Sequence, residues 1–295
     1  MIVLVFGGRG FLGMEVVKVL KEAKYSVFSA SRNAKNDFRV DVSNYADFSK
    51  LPKDFFDVVI NCATTLPGED MFDNDYLNRI YQSNILGTQN ICKWISYQST
   101  VKKIINCSTL AVVNKPWDLM LTEKTEAYPS GEHVLYSSSK LMQELIVKTT
   151  GEKLNIDFVN IRFSAIYGKG MPKSGIVWAL YQQGNNNDVI RIINGNKVSF
   201  DFIHVSDAAR ILLALTKSGP INGILNAASG VEITLLKLSN IVRNNISKSI
   251  IIENDDSEDM PLNRSKIDIQ KLNCILSTDS FLTLDEGLKQ VFELW

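Results

Sequence analysis

The sequence predicts a doubly wound α/β protein, and three observations carry that expectation. Its strand-like runs are short and apolar throughout, as strands of a parallel sheet covered on both faces must be. Longer segments with apolar residues at helical spacing lie between them. A glycine-spaced loop joins the first run to the first helix.

The elements follow in order. Ile2–Phe6 reads as the first strand and Phe11–Ala23 as the first helix. Ser26–Ala30, Phe56–Asn61, Lys103–Cys107 and Ile156–Ile161 continue the strands. Asp75–Tyr97 and Glu132–Thr150 read as helices, the second closed by Gly151. Beyond Gly168 the rhythm loosens. Segments rich in Gly, Asn and Lys (Gly184–Asn187 and Gly195–Lys197) flank a strand at Val189–Ile193. Short helices at Val205–Thr216 and Leu235–Asn244 and a strand at Gly223–Ala227 complete the chain. Residues 1–167 are therefore expected to form a dinucleotide-binding domain. Residues 168–295 are expected to form a smaller mixed lobe facing the substrate, with about 198–230 returning to the main sheet.

Composition excludes several classes. The chain has 295 residues, 45% of them hydrophobic, which is enough to bury a large core. Its 32 basic residues balance 32 acidic ones, so it has no electrostatic footprint for nucleic acid or an anionic membrane. Cys62, Cys92, Cys107 and Cys274 lack metal or disulfide-framework spacing, and His133 and His204 are too few for a histidine-rich centre. No apolar run reaches the roughly 18 residues of a membrane span. Ile2–Phe6 leads into Gly-Gly-Arg-Gly rather than a cleavage site. The expectation is a soluble cytoplasmic protein without a metal.

Gly7, Gly10 and Gly13 give the loop G-x-x-G-x-x-G spacing. The first permits a tight turn, the second lets backbone approach a pyrophosphate, and the third lets the helix pack closely. The amides of the helix N-terminus then face the phosphates. With a strand before it and a helix after it, the loop is read as a dinucleotide site.

From this point the chain resembles the extended, sugar-nucleotide-modifying branch of the short-chain dehydrogenase/reductase superfamily (the NAD-dependent epimerase/dehydratase family). Asp41-Val42 resembles the pair that reads the adenine, and Asn61-Cys62-Ala63-Thr64 the turn along the cofactor. Asn84-Ile-Leu-Gly87-Thr88 resembles N-x-x-G-T, and Arg162-Phe163-Ser-Ala165-Ile-Tyr167-Gly168 resembles R-x-x-N-V-Y-G. Phe200-Asp201-Phe-Ile-His204-Val-Ser-Asp207 is similar to R-D-F-I-H-V-x-D, and Leu225-Asn226-Ala-Ala-Ser-Gly230 to the N-x-x-x-G strand end. The resemblance implies a Rossmann domain whose cofactor contacts include Phe11, Leu12, Asn84 and Phe163. It also implies a homodimer through the Asn84 and Tyr136 helices.

Tyr136-Ser-Ser-Ser-Lys140 is a Y-x-x-x-K whose i,i+4 spacing puts both side chains on one helix face. Ser108 and Thr109 follow a strand directly, at the carboxyl edge where α/β ligands bind. Lowering a phenol from about 10 to near 7 requires about 4 kcal/mol of preferential phenolate stabilisation. A neighbouring ammonium can supply much of it. Tyr136 is thus the acid/base candidate, with Lys140 tuning it and Thr109, or alternatively Ser108, orienting the substrate oxygen. By resemblance, Lys140 also bonds the nicotinamide ribose. His204 is expected to be structural, and Cys62 and Cys107 to be small core residues.

Departures from the family pattern narrow the chemistry. Similar 4,6-dehydratases carry an Asp-Glu pair after the catalytic threonine, and here those positions are Leu110 and Ala111. Leu110 also removes the cysteine used in similar 3,5-epimerising reductases. Ala165 and Phe200 replace an Asn and an Arg that contact nucleotide-sugar substrates in the family. Lys169, Lys173, Lys197 and Arg264 are candidates for the missing charge, and Thr65, Thr109, Lys169 and Arg264 form the candidate substrate set. The second strand ends Ser29-Ala-Ser31-Arg32-Asn33, with no acid before Asp37. Arg32, with Arg9 in the loop, therefore suits the 2′-phosphate of NADP(H). The expected activity is NADPH-dependent reduction of a keto group at carbon 4 of a deoxysugar nucleotide. The alternatives are a nucleotide-sugar 4-epimerase and a non-catalytic NADP-sensing regulator.

Overall fold

Alternate residues of each central strand feed two different cores. A strand points successive side chains to opposite faces, so a strand covered on both sides needs apolar side chains, or polar ones with buried partners, on both faces. Val3 and Val5 pack with Leu20, Ala209 and Leu212, whereas Leu4 and Phe6 pack with Phe48, Ile91 and Ile95. Val58 and Ile60 join the first group and Val59 the second. Each fully buried side chain of this size contributes roughly 1.5–3 kcal/mol. The computed structural model describes residues 1–295 except 34, 69, 71, 114, 116–119 and 247–248.

In chain order the strands are β1 (Ile2–Phe6), β2 (Ser26–Ser31), β3 (Phe38–Arg39), β4 (Val58–Asn61), β5 (Lys103–Thr109), β6 (Asp157–Phe163), β7 (Ala165–Tyr167), β8 (Val189–Ile193), β9 (Ser199–Phe200), β10 (Phe202–His204), β11 (Gly223–Ala227), β12 (Ile233–Thr234) and β13 (Ile251–Asp255). The α-helices are α1 (Phe11–Glu22), α2 (Asn74–Ile80), α3 (Gly87–Ile95), α4 (Val134–Leu154), α5 (Gly175–Asn187), α6 (Val205–Lys217), α7 (Leu235–Asn244), α8 (Gln270–Asn273) and α9 (Leu284–Phe292). Seven parallel strands form the main sheet in the order β11-β6-β5-β4-β1-β2-β3. The doubly wound expectation holds. Among the described residues, no helix is long and apolar enough to cross a membrane.

A ladder of buried asparagines pins the register of the sheet's centre. Asn61, Asn106 and Asn160 stand side by side on β4, β5 and β6. Asn61 donates to Asn106 at 3.1 Å, Asn106 to Asn160 at 2.9 Å, and Asn160 to the Glu144 carbonyl of α4 at 3.1 Å. A one-residue slip would leave these amides unpaired in an apolar interior, so the ladder also fixes where α4 sits.

The remaining chain builds its own apolar cluster, in which Leu180, Ile190, Leu238 and Leu288 are buried together. Here β8 pairs in parallel with β13, while β11 runs back beside β6 in the main sheet.

Two helices differ from expectation. Asp75–Tyr97 is not one continuous α-helix, because residues Tyr81–Leu86 widen into a π-helical turn between α2 and α3. That turn carries the fully buried Asn84. Such widened turns are frequent at functional sites. The second helix runs past Gly151 to Leu154 and ends on Asn155, whose φ of 51° is left-handed. Gly151 serves close packing instead, since a Cβ there would lie 2.3 Å from the Phe158 ring of β6.

Candidate active site

The glycine loop is shaped by its own backbone. Gly7 has φ of +73°, donates its N–H to the Ala30 carbonyl at 2.8 Å, and would clash with the Cys62–Ala63 backbone if it carried a Cβ. A Cβ on Gly13 would stand 2.1 Å from the Gly7 carbonyl oxygen, so the first turn of α1 rests directly on the loop. Gly10 is the N-cap residue of α1 without a side-chain cap. The helix's first amides therefore remain for an anion.

Two cavities sharing Gly10, Cys62 and Thr64 extend this loop into a trough. The outer cavity, about 350 Å³, is walled by Gly7, Arg9, Arg32, Asp41, Val42 and Ala63 among others. The inner one, about 520 Å³, is walled by Phe11, Leu12, Gly13, Ser108, Thr109, Tyr136, Lys140 and Phe163 among others. The trough thus passes from two guanidinium groups, across a helix N-terminus, to a phenol and an ammonium. That is the order of groups a nicotinamide dinucleotide needs, and the residues fit one.

The acid near the outer end is occupied. Asp37 accepts from Ser29 N and Ser29 Oγ, both at 2.8 Å. Burial raises its carboxyl, but these hydrogen bonds outweigh that effect and leave it below its ordinary value. Arg9 Nη2 donates to the Lys35 carbonyl at 2.7 Å, which holds it at the rim.

Asn84 joins the turn after β4 to α4. Its Oδ1 accepts from Thr65 N at 2.6 Å, and its Nδ2 donates to Ser139 Oγ at 2.9 Å. Gln143 Nε2 in turn donates to the Asn84 carbonyl at 2.9 Å. Gly87 permits the adjoining helix to approach Val42, whose Cγ2 lies 2.6 Å from where a Cβ would sit. The family-like segments at 41–42, 61–65, 84–88 and 136–140 are thus one connected structure.

The two hydroxyls after β5 have separate surroundings. Ser108 is buried and donates to Glu144 Oε1 at 2.6 Å, and Glu144 is held by Arg162 at 2.8 Å. Thr109 is half-buried and faces two cavities. Lys140 Nζ donates to the Cys107 carbonyl at 2.6 Å. Burial pushes the Lys140 ammonium down to about 8. Burial also pushes the Tyr136 phenol above its ordinary value, with Tyr76 and Cys107 adding to the rise and a hydrogen bond with Thr109 opposing it. This sign is opposite to the lowered phenol expected from sequence.

A third cavity, about 650 Å³, adjoins the inner one and shares Thr109, Phe163, Ala165 and Phe202 with it. Its wall is largely apolar, with Leu110, Val113, Ile176, Phe200, Phe202 and Ile267. Ala165 lines it as well, so both departures from the family pattern face this space. Sequence reasoning missed Lys115 and Ser265 on this wall.

Three members of the candidate substrate set are not brought to these walls. Arg264 donates through Nε and Nη2 to Glu232. Thr65 Oγ1 donates to the Arg79 carbonyl, and Lys169 is exposed. Lys197 donates to the Glu258 carbonyl at 2.9 Å, and Lys173 sits over Trp178. His204 caps α6 through Nδ1 and Ser206, a structural role. Cys62 Sγ and Cys107 Sγ touch at 3.5 Å, and that contact together with burial keeps the Cys62 thiol well above its ordinary value. Among the described residues, no three His, Cys, Asp or Glu side chains converge as a metal centre would require.

Residues 3–228 match the NAD dependent epimerase/dehydratase family. The chain is 25% identical to the dTDP-4-dehydro-6-deoxyglucose reductase of Escherichia coli, over 99% of this chain and 96% of that protein. Among solved structures it is similar to the UDP-glucuronic acid 4-epimerase of Bacillus cereus in complex with UDP-glucuronic acid and NAD. There the TM-score is 0.82 at 20% identity, covering 99% of this chain and 98% of that one. It is also similar to the Thermus thermophilus UDP-glucose 4-epimerase complex with NAD, with TM-score 0.80, 20% identity, and coverage of 99% and 98%. At these identities the structural likeness establishes the fold.

Proposed function

Because this chain belongs to the NAD dependent epimerase/dehydratase family, we propose that it reduces the carbon-4 keto group of a nucleotide-linked deoxysugar, using NADPH. One observation carries the proposal: Thr109 stands where the inner end of the dinucleotide trough meets a second, largely apolar cavity, beside Tyr136 and Lys140. A bound NADPH supplies the hydride. Thr109 Oγ1 holds the substrate oxygen, and Tyr136 donates its phenolic proton to the alkoxide as it forms. Lys140 stabilises the phenolate left behind.

Two features favour reduction over the family's other chemistries. Leu110 and Ala111 line the cavity at the positions where elimination would need carboxylates. An apolar wall suits a sugar that has lost hydroxyl groups, because burying an unpaired hydroxyl there would cost about 1–3 kcal/mol. The 4-epimerase is the second reading, favoured by the likeness to NAD-bound epimerase structures. It requires the ionised phenol to begin with a sugar hydroxyl, and Arg9 and Arg32 suit NADP(H) better than NAD. Exposed Tyr81, Met142 and Leu145 on the Asn84 and Tyr136 helices fit the proposed homodimer.

Incubation with UDP- and dTDP-linked 4-keto-6-deoxy sugars should consume NADPH, followed by absorbance, whereas the unmodified hexose nucleotides should not. A 4-keto-6-deoxy product from an unmodified hexose nucleotide would contradict the proposal.

A further inference from the structure

The largely apolar cavity beside Thr109 has Phe200 where similar chains carry an arginine, yet its wall brings in a cation from elsewhere. Lys115 lines it, with Nζ donating to Ser265 Oγ at 2.6 Å and to the Ser199 carbonyl at 3.4 Å. The ammonium lies 5.8 Å from the centre of the Phe200 ring. Lys115 follows β5 in sequence, whereas Phe200 and Ser265 reach the same cavity from segments 85 and 150 residues further on.

The same serines organise an ion pair behind it. Ser199 Oγ donates to Glu232 Oε1 at 2.6 Å, and Ser265 N donates to the same oxygen at 3.0 Å. Arg264 engages both Glu232 oxygens. Glu232 is thereby held at about 2, chiefly by Arg264, and stays ionised. Arg264 is engaged by Glu232, whereas Lys115 lines the cavity wall together with Asp201.

We propose that Lys115 recognises the diphosphate of the substrate, supplying from the β5 side a positive charge in place of the arginine that similar chains carry at position 200. The assignment rests on the nucleotide-linked reading of the substrate and adds the residue that would select it. Three observations support it. Phe200 supplies no cation at its position on the wall, beside the buried Asp201, whose carboxyl burial pushes up to about 6 and so toward the neutral form. Ser265 and Ser199 hold the Lys115 Nζ in one place, so less side-chain freedom is lost when an anion binds. Burial lowers the ammonium to about 8, and an arriving phosphate restores the charged form by supplying an opposite charge in a poorly solvated place. A charge-assisted hydrogen bond then forms between Nζ and a phosphate oxygen.

Calorimetric titration with UDP, dTDP, uridine and thymidine tests this on the wild type, Lys115→Met and Lys115→Arg. At least one diphosphate should bind the wild type, bind Lys115→Met at least about tenfold more weakly, and regain affinity in Lys115→Arg. The matching nucleoside, which lacks phosphate, should bind wild type and Lys115→Met alike, and NADPH affinity should not change. Equal diphosphate affinity in wild type and Lys115→Met would overturn the assignment alone. A parallel loss of NADPH binding would mark a structural role and overturn it as well. Failure of the wild type to bind either diphosphate would overturn both the assignment and the nucleotide-linked reading.

Discussion

Tyr136→Phe is expected to lower turnover by at least about 100-fold, the lower range for a positioned acid, while NADPH affinity stays nearly unchanged. The substitution removes one oxygen and keeps the ring, so the wall of the inner cavity retains its shape. The proton for the nascent alkoxide would then come from water or from Thr109, a much weaker acid. Lys140 keeps its bond to the Cys107 carbonyl in this variant, because that bond does not involve Tyr136. Single-turnover rates with a keto sugar, alongside NADPH titration by fluorescence, separate the two effects. Near-normal turnover would remove Tyr136 from the mechanism.

Arg32→Asp is expected to invert the cofactor preference. One charged hydrogen bond is worth about 1.5–3 kcal/mol, so a guanidinium on the 2′-phosphate favours NADPH by roughly 10- to 150-fold. An aspartate repels that phosphate and accepts from the free ribose hydroxyl of NADH. The ratio of the two kcat/KM values should therefore swing by at least about 100-fold between wild type and variant. Asp37 does not already fill this role, since its carboxylate is bonded to Ser29. The wild type should also purify largely without cofactor. Equal use of NADPH and NADH, or tightly retained NAD, would refute the arginine argument and promote the epimerase.

Features set by near neighbours were legible in the sequence. The glycine loop, the apolar strands and Y-x-x-x-K each depend on a few adjacent positions. The two misread helices show where that reach ends. A glycine inside a helix looks like one that closes it until Phe158 is seen packed against it. Asn84 was expected among the cofactor contacts, but nothing local shows that its helix widens around it. Lys115 belongs to no motif, and its partners lie 84 and 150 residues away. Arg264 was a candidate for substrate because Glu232, 32 residues earlier, was not expected beside it. The burial that raises the Tyr136 phenol was hidden for a similar reason. The ammonium four residues on is visible in sequence, but the many segments that desolvate the hydroxyl are not.

Net hydride transfer to carbon 4 separates the proposed reductase most directly from its rivals. Purified protein would be incubated with a dTDP- or UDP-linked 4-keto-6-deoxy sugar and NADPH deuterated at both positions of nicotinamide carbon 4, and the sugar followed by NMR. The expected result is one deuterium at carbon 4 of the product for each NADPH consumed, with the label absent from carbons 3 and 5. No deuterium gained by the keto sugar and no NADPH consumed, while a dTDP- or UDP-linked 4-hydroxy hexose interconverts its carbon-4 epimers on the same protein, would contradict the account.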